Sequence, residues 1–128
     1  MVTNVDLGGN NVAVGKAYGQ AAPYPYPGFI FRSTSTITSS TTHTQAGATP
    51  ITTQYVNVVN ANAADAVLLP PAVAGAEVVV QNAGAAVALQ VYATGTDTIN
   101  GTAGSTGVSL AAASTGIYFC VVTGAWIK

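Results

Sequence analysis

One histidine, one cysteine and four acids are all that this 128-residue chain offers to acid–base or covalent chemistry. His43 stands in a Ser/Thr run with no acid within twenty residues on either side, so it reads as a solvated loop histidine rather than a general base. Cys120 alternates inside the apolar run "GIYFCVV" and reads as a small apolar side chain rather than a nucleophile. One His and one Cys exclude a zinc site of the usual ligand count. Glycoside hydrolysis needs two facing carboxylates. Of Asp6, Asp65, Glu77 and Asp97, only Asp65 and Glu77 suggest such a pair, and each reads better as a residue that begins or flanks a strand. Asp97 precedes a turn, where Asp commonly bonds the backbone. "TGTDTINGTAGSTG" (94–107) is glycine-rich, but it lacks the Gly-Lys-Ser/Thr ending of a phosphate loop and leads into no helix. Trp126 with Tyr118 and Tyr92 would make a sugar-stacking platform, against the alternative of a core or interface Trp. No catalytic, cofactor-binding or metal-ligating residue is assigned, and the expectation is that the chain is not an enzyme and takes no cofactor.

The elements around these residues follow from composition and pattern. Hydrophobic residues make up 49% of the chain and charged ones 5%, against roughly 25% charged in a typical soluble domain. Disorder shows the reverse balance. The apolar runs are short and broken by Gly, Asn, Thr and Pro, so no membrane helix is expected. Lys16, Arg32 and Lys128 are scattered, which argues against the basic stripe that nucleic acid requires. "MVTNVDLGGNNVAVG" shows no basic region before an apolar block, and a lone cysteine makes no intrachain disulfide. Both fit production in a reducing cytoplasm.

From Ile51 onward, β-branched residues and turn signals alternate. "TQYVNVVN" (53–60) sets Tyr55, Asn57 and Val59 against Val56 and Val58. "AVLLP" (66–70) is stopped by Pro70-Pro71, "AEVVVQN" (76–82) by Asn82-Ala83-Gly84. "AVALQVYA" (86–93), "DTING" (97–101), "GVSLAA" (107–112), "TGIYFCVV" (115–122) and "AWIK" (125–128) follow, with Asn100-Gly101 a strong hairpin signal. In "NANAADAVLL" (60–69) a helical turn competes with a strand, and the two prolines favour the strand. Seven or eight short strands with turns every 8 to 12 residues predict an all-β fold, a jelly-roll-like β-sandwich or a small barrel, over residues 51–128. No internal repeat of fixed period is visible.

Residues 1–50 read as an extended N-terminal arm. Pro23, Pro25 and Pro27 alternate with Tyr24 and Tyr26, and each proline pushes its predecessor to extended geometry. Tyr24, Tyr26, Phe29 and Phe31 are too many aromatics for a free linker and are the candidate partner-binding residues. The stretch "STSTITSSTTHTQAGATP" (33–50) reads as an extended, β-prone arm segment ordered mainly by neighbours. The β domain is rich in Ala, Val and Thr and poor in large side chains, which favours an oligomer.

Residues 75–126 resemble small structural proteins of tailed bacteriophages. The resemblance rests on Asn82 to Ala85, Tyr92 to Gly95, Asp97 to Gly101, Val108 to Leu110, Phe119-Cys120, and Gly124 to Trp126. It implies a virion protein and brings no catalytic residues. The expected role is capsid decoration, or cement: a homotrimer on the outer surface of the phage head, made in the host cytoplasm, that clamps the major capsid protein through its arm. The alternative is a head- or tail-fibre or receptor-binding module. A reading of a different class is a carbohydrate-binding module.

Overall fold

The structure, a computed structural model, describes residues 32–128. The strands are β1 Thr34–Thr38, β2 Thr49–Pro50, β3 Tyr55–Val59, β4 Ala66–Leu68, β5 Glu77–Asn82, β6 Leu89–Tyr92, β7 Thr98–Ile99, β8 Thr102–Ala103, β9 Val108–Leu110, β10 Thr115–Val122 and β11 Ala125–Ile127. They form two sheets. Sheet A has the order β1-β3-β5-β10-β11-β7-β8 and sheet B the order β2-β4-β6-β9.

The all-β expectation holds at that level, but the sheets are those of a β-solenoid, not of a sandwich or barrel. Strands β1, β3 and β5 are parallel and in register, with Thr34 beside Tyr55 and Tyr55 beside Val79. Strands β2, β4 and β6 repeat this in sheet B, with Thr49 beside Val67 and Val67 beside Val91. Between β1 and β6 the turns therefore carry the chain from one sheet to the other rather than into an antiparallel neighbour. Three coils result: β1–β2, β3–β4 and β5–β6. There is a repeat after all. It escapes a search for a fixed period because the spacing changes from coil to coil, as the numbering of the paired residues shows.

The Ser/Thr run supplies the first coil. β1 and β2 lie within the stretch assigned by sequence to the arm, and both are paired to the second coil. Threonine suits a strand, and Pro50 is tolerated because β2 is the edge of sheet B. The remainder of the expected arm, residues 1–31, lies outside the described residues.

After β6 the chain closes the stack. The hairpin β7–β8 turns at Asn100-Gly101, with φ of 51° and 79°, as a type I′ turn requires. β9 then pairs antiparallel with β6, and β10 with β5. In this way the last parallel coil is covered by strands running the other way.

Inside, like side chains stack coil on coil. Val56 lies beside Val80, Val67 beside Val91, and Leu89 beside Leu110, all buried in one cluster with Tyr118, Cys120, Ile99 and Trp126. On β10 a Cβ at Gly116 would stand 2.8 Å from Cε2 of Tyr118, so a glycine there makes room for the buried ring. The Tyr118 hydroxyl finds no hydrogen-bond partner among the described residues. Burial pushes this phenol well above its ordinary range.

Two tests follow from this packing. Gly101→Val places a β-branched residue at φ 79° and is expected to cost about 1 kcal/mol or more, read as a lower Tm; an unchanged Tm would contradict the strained turn. Tyr118→Phe removes an unsatisfied buried hydroxyl and is expected to be neutral or stabilising by up to about 1 kcal/mol. Because the phenol ionises less readily in the fold than in the unfolded chain, its contribution is intact below about pH 10 and falls as pH rises past it. Urea melts between pH 8 and 11 are expected to show a steeper alkaline loss for the natural chain than for Tyr118→Phe.

Candidate functional site

The first coil and the second bring together two residues that the sequence keeps apart. After β1 the chain bridges at Ser40 to Ala66 and makes a 3-10 turn at Gln45–Gly47, capped by the Thr44 side chain, which accepts from Gly47 N. This loop crosses the outer face of sheet B. Gln45 Nε2 donates to the carbonyls of Ala93 and Gly95, and Tyr92 Oη donates to His43 O at 3.0 Å. Tyr92 is thereby buried with Ala48 and Ala66, and Leu68 packs against them.

At the margin of that loop, His43 Nε2 lies 3.2 Å from Asp65 Oδ1. The imidazole is 48% exposed and the carboxylate only 3%. Asp65 Oδ2 accepts from both the backbone N and the side-chain amide of Asn62. The carboxylate thus organises the turn ahead of β4 and holds one ring nitrogen of His43. Asp65 lies 22 residues after His43, just beyond the window of twenty. The missing signal was the coil length, which makes residues about one coil apart neighbours. A His–Asp pair could orient a proton acceptor, but among the described residues no other titratable side chain is hydrogen-bonded to the imidazole or the carboxylate. No group of three His, Cys, Asp or Glu capable of holding a metal occurs among the described residues.

The other candidates are placed elsewhere. Glu77 begins β5 and Asp65 immediately precedes β4, the strand-flanking positions expected of them. Asp97 Oδ2 accepts from Ala72 N at 2.7 Å, tying the β6–β7 connection to the segment after β4. Cys120 is buried on the inner side of β10 beside Trp126. Trp126 Nε1 donates to Pro70 O at 3.3 Å. Trp126, Tyr118 and Tyr92 are all buried, so they form no exposed stacking platform. Tyr24, Tyr26, Phe29 and Phe31 lie outside the described residues.

What sequence reasoning left unassigned is the outer face of sheet A. On β10, Ile117, Phe119 and Val121 point outward, while Gly116, Tyr118 and Cys120 point in. Val79 neighbours Ile117, Tyr55 neighbours Val79, and Ile127 neighbours Phe119. Tyr55, Ile117, Phe119, Val121 and Ile127 are all exposed. The result is a contiguous apolar surface across β3, β5, β10 and β11, with Glu77, beside Phe119, as the charged residue within it. The two-residue alternation in "TGIYFCVV" groups Ile117, Phe119 and Val121 on one face without saying which face is outward.

Removing either member of the His–Asp pair is expected to have unequal effects. His43→Ala should cost under about 1 kcal/mol, because a half-exposed pair is screened by water. Asp65→Ala removes the acceptor for two Asn62 donors and should cost about 1–3 kcal/mol. Urea unfolding of the two variants checks this, and equal losses would count against the turn-organising role.

Comparison with protein-family models, with curated proteins and with solved structures finds no match, so the functional reading rests on the residues themselves.

Proposed function

We propose that this chain is a structural protein of a tailed-phage virion, acting as a capsid decoration protein that binds the outside of the head and reinforces it. It works by contact and not by turnover. The observation that carries this reading is the outer face of sheet A: a broad, nearly uncharged apolar surface on a rigid stack of coils. Such a surface is suited to permanent burial against protein. Monomeric soluble proteins rarely leave contiguous apolar patches larger than a few hundred Å² in water. The titratable groups support the same reading, since Asp65 and Asp97 are engaged by their own backbone surroundings.

In this proposal the domain from β1 onward is the body of the subunit, and Tyr24, Tyr26, Phe29 and Phe31 supply attachment to the major capsid protein. A fibre or receptor-binding module remains the second reading. The observation favouring it is the parallel stacking of coils, which extends naturally along one axis. Copy number separates the two, because decoration requires hundreds of copies per head and a fibre only a few.

The test uses the whole chain carrying Ser at all four aromatic positions, which changes no residue of the described strands β1 to β11. Co-sedimentation with empty heads is expected to weaken strongly, since a single aromatic anchor at an interface contributes about 2 kcal/mol or more. Binding equal to that of the natural chain would overturn the attachment role. Failure of the natural chain to bind heads at all would overturn the decoration reading.

A further inference from the structure

We propose that the outer face of sheet A is a self-association surface, on which a second copy of this chain packs face to face about a two-fold axis. The two sheets treat their outer faces differently. Sheet B is covered by the chain's own loop, which buries Tyr92 and Ala66. On sheet A, Ile117, Phe119 and Val121 are 51%, 40% and 64% exposed. Ile117, Phe119 and Val121 of β10 lie on this face, while Gly116, Tyr118 and Cys120 fill the inner one.

Area, charge and shape point to a second copy. β1, β3, β5, β10 and β11 hold 5, 5, 6, 8 and 3 residues, and at about 3.3 Å rise and about 4.8 Å spacing per residue they make a plane of about 430 Å². That plane, increased by the relief of its side chains, matches the lower, weakly associating end of the range of protein interfaces. Apart from Glu77 the face offers Thr, Asn, Gln and apolar groups, and so gives a highly charged partner nothing to pair with. Two twisted sheets pack face to face about 10 Å apart at about −30°. An isologous contact needs only one self-complementary patch, whereas a three-fold ring needs two different patches per copy. Self-association requires no phage head, so it is tested apart from the decoration reading, which with this face taken up by a second copy rests on attachment through Tyr24, Tyr26, Phe29 and Phe31.

Sedimentation velocity of the full-length chain from 1 to 100 µM is expected to show a dimer. Thr115→Lys and Ile117→Lys each add a charge to the face without removing a core side chain, and each is expected to weaken dimerisation at least about tenfold. Val73→Lys, at an exposed position between β4 and β5, is the control and should leave it unchanged. Circular dichroism establishes that each variant is folded; should Ile117→Lys unfold, Thr115→Lys decides. A monomer at 100 µM overturns the proposal, as does a trimer. A dimer indifferent to both lysines also overturns it, as does a folded monomer whose binding to heads is abolished by the same lysines, because the face then belongs to the shell subunit.

Discussion

In-register parallel pairing is the constraint on which the rest of this molecule depends. Once Thr34, Tyr55 and Val79 are neighbours across three strands, whatever one coil places at a position lies about 4.8 Å from what the next coil places there. Like charges stacked at that distance repel, and bulky branched side chains of unequal size leave gaps. Val on Val, and Thr beside polar or apolar neighbours, satisfy the stacking at low cost. The scarcity of charge and the abundance of Val, Ala and Thr are therefore what coil stacking demands of a sequence, independently of any partner.

Stacking also creates a problem at the corner, where the chain leaves sheet A and backbone carbonyls no longer have a strand to face. A ladder of small polar side chains meets it. Ser39 Oγ donates to Asn60 Oδ1, and Asn60 Nδ2 donates to Val87 O. Asn82 Nδ2 serves the carbonyls of Val87, Leu110 and Ala111, while its Oδ1 accepts from Gly84 N. Ser39, Asn60 and Asn82 are all buried. Buried amides are expensive unless satisfied, and the corner satisfies them by drawing on the cap: Leu110 and Ala111 lie where β9 ends. The polar corner thus binds the solenoid to the strands that close it.

Much of this was legible in the sequence, and the part that was not has a common cause. The alternation of Val56 and Val58 against Tyr55 and Asn57, the stop at Pro70-Pro71 and the turn at Asn100-Gly101 are local signals, and the structure places them as read. Pairing between Thr34 and Tyr55 is not local, and no residue announces it, because parallel neighbours are joined through the opposite sheet. The loss of that one relation led to the sandwich expectation, to the assignment of β1 and β2 to an arm, and to the failure to see His43 beside Asp65.

The alternation on β10 shows the remaining limit. A two-residue period separates Ile117, Phe119 and Val121 from Tyr118 and Cys120, yet hydrophobicity alone would send the first set inward. The inner position opposite Val80 is filled instead by Gly116, and the ring of Tyr118 takes the space a side chain there would need. Reversing the faces would drive Phe119 and Ile117 into an interior already filled by Trp126 and Val80, and would expose Trp126's neighbour Cys120. Interior volume, not polarity, therefore sets which face of β10 is buried. The same eight residues thus encode both the closing of the fold, through Gly116, Tyr118 and Cys120, and an apolar outer surface, through Ile117, Phe119 and Val121.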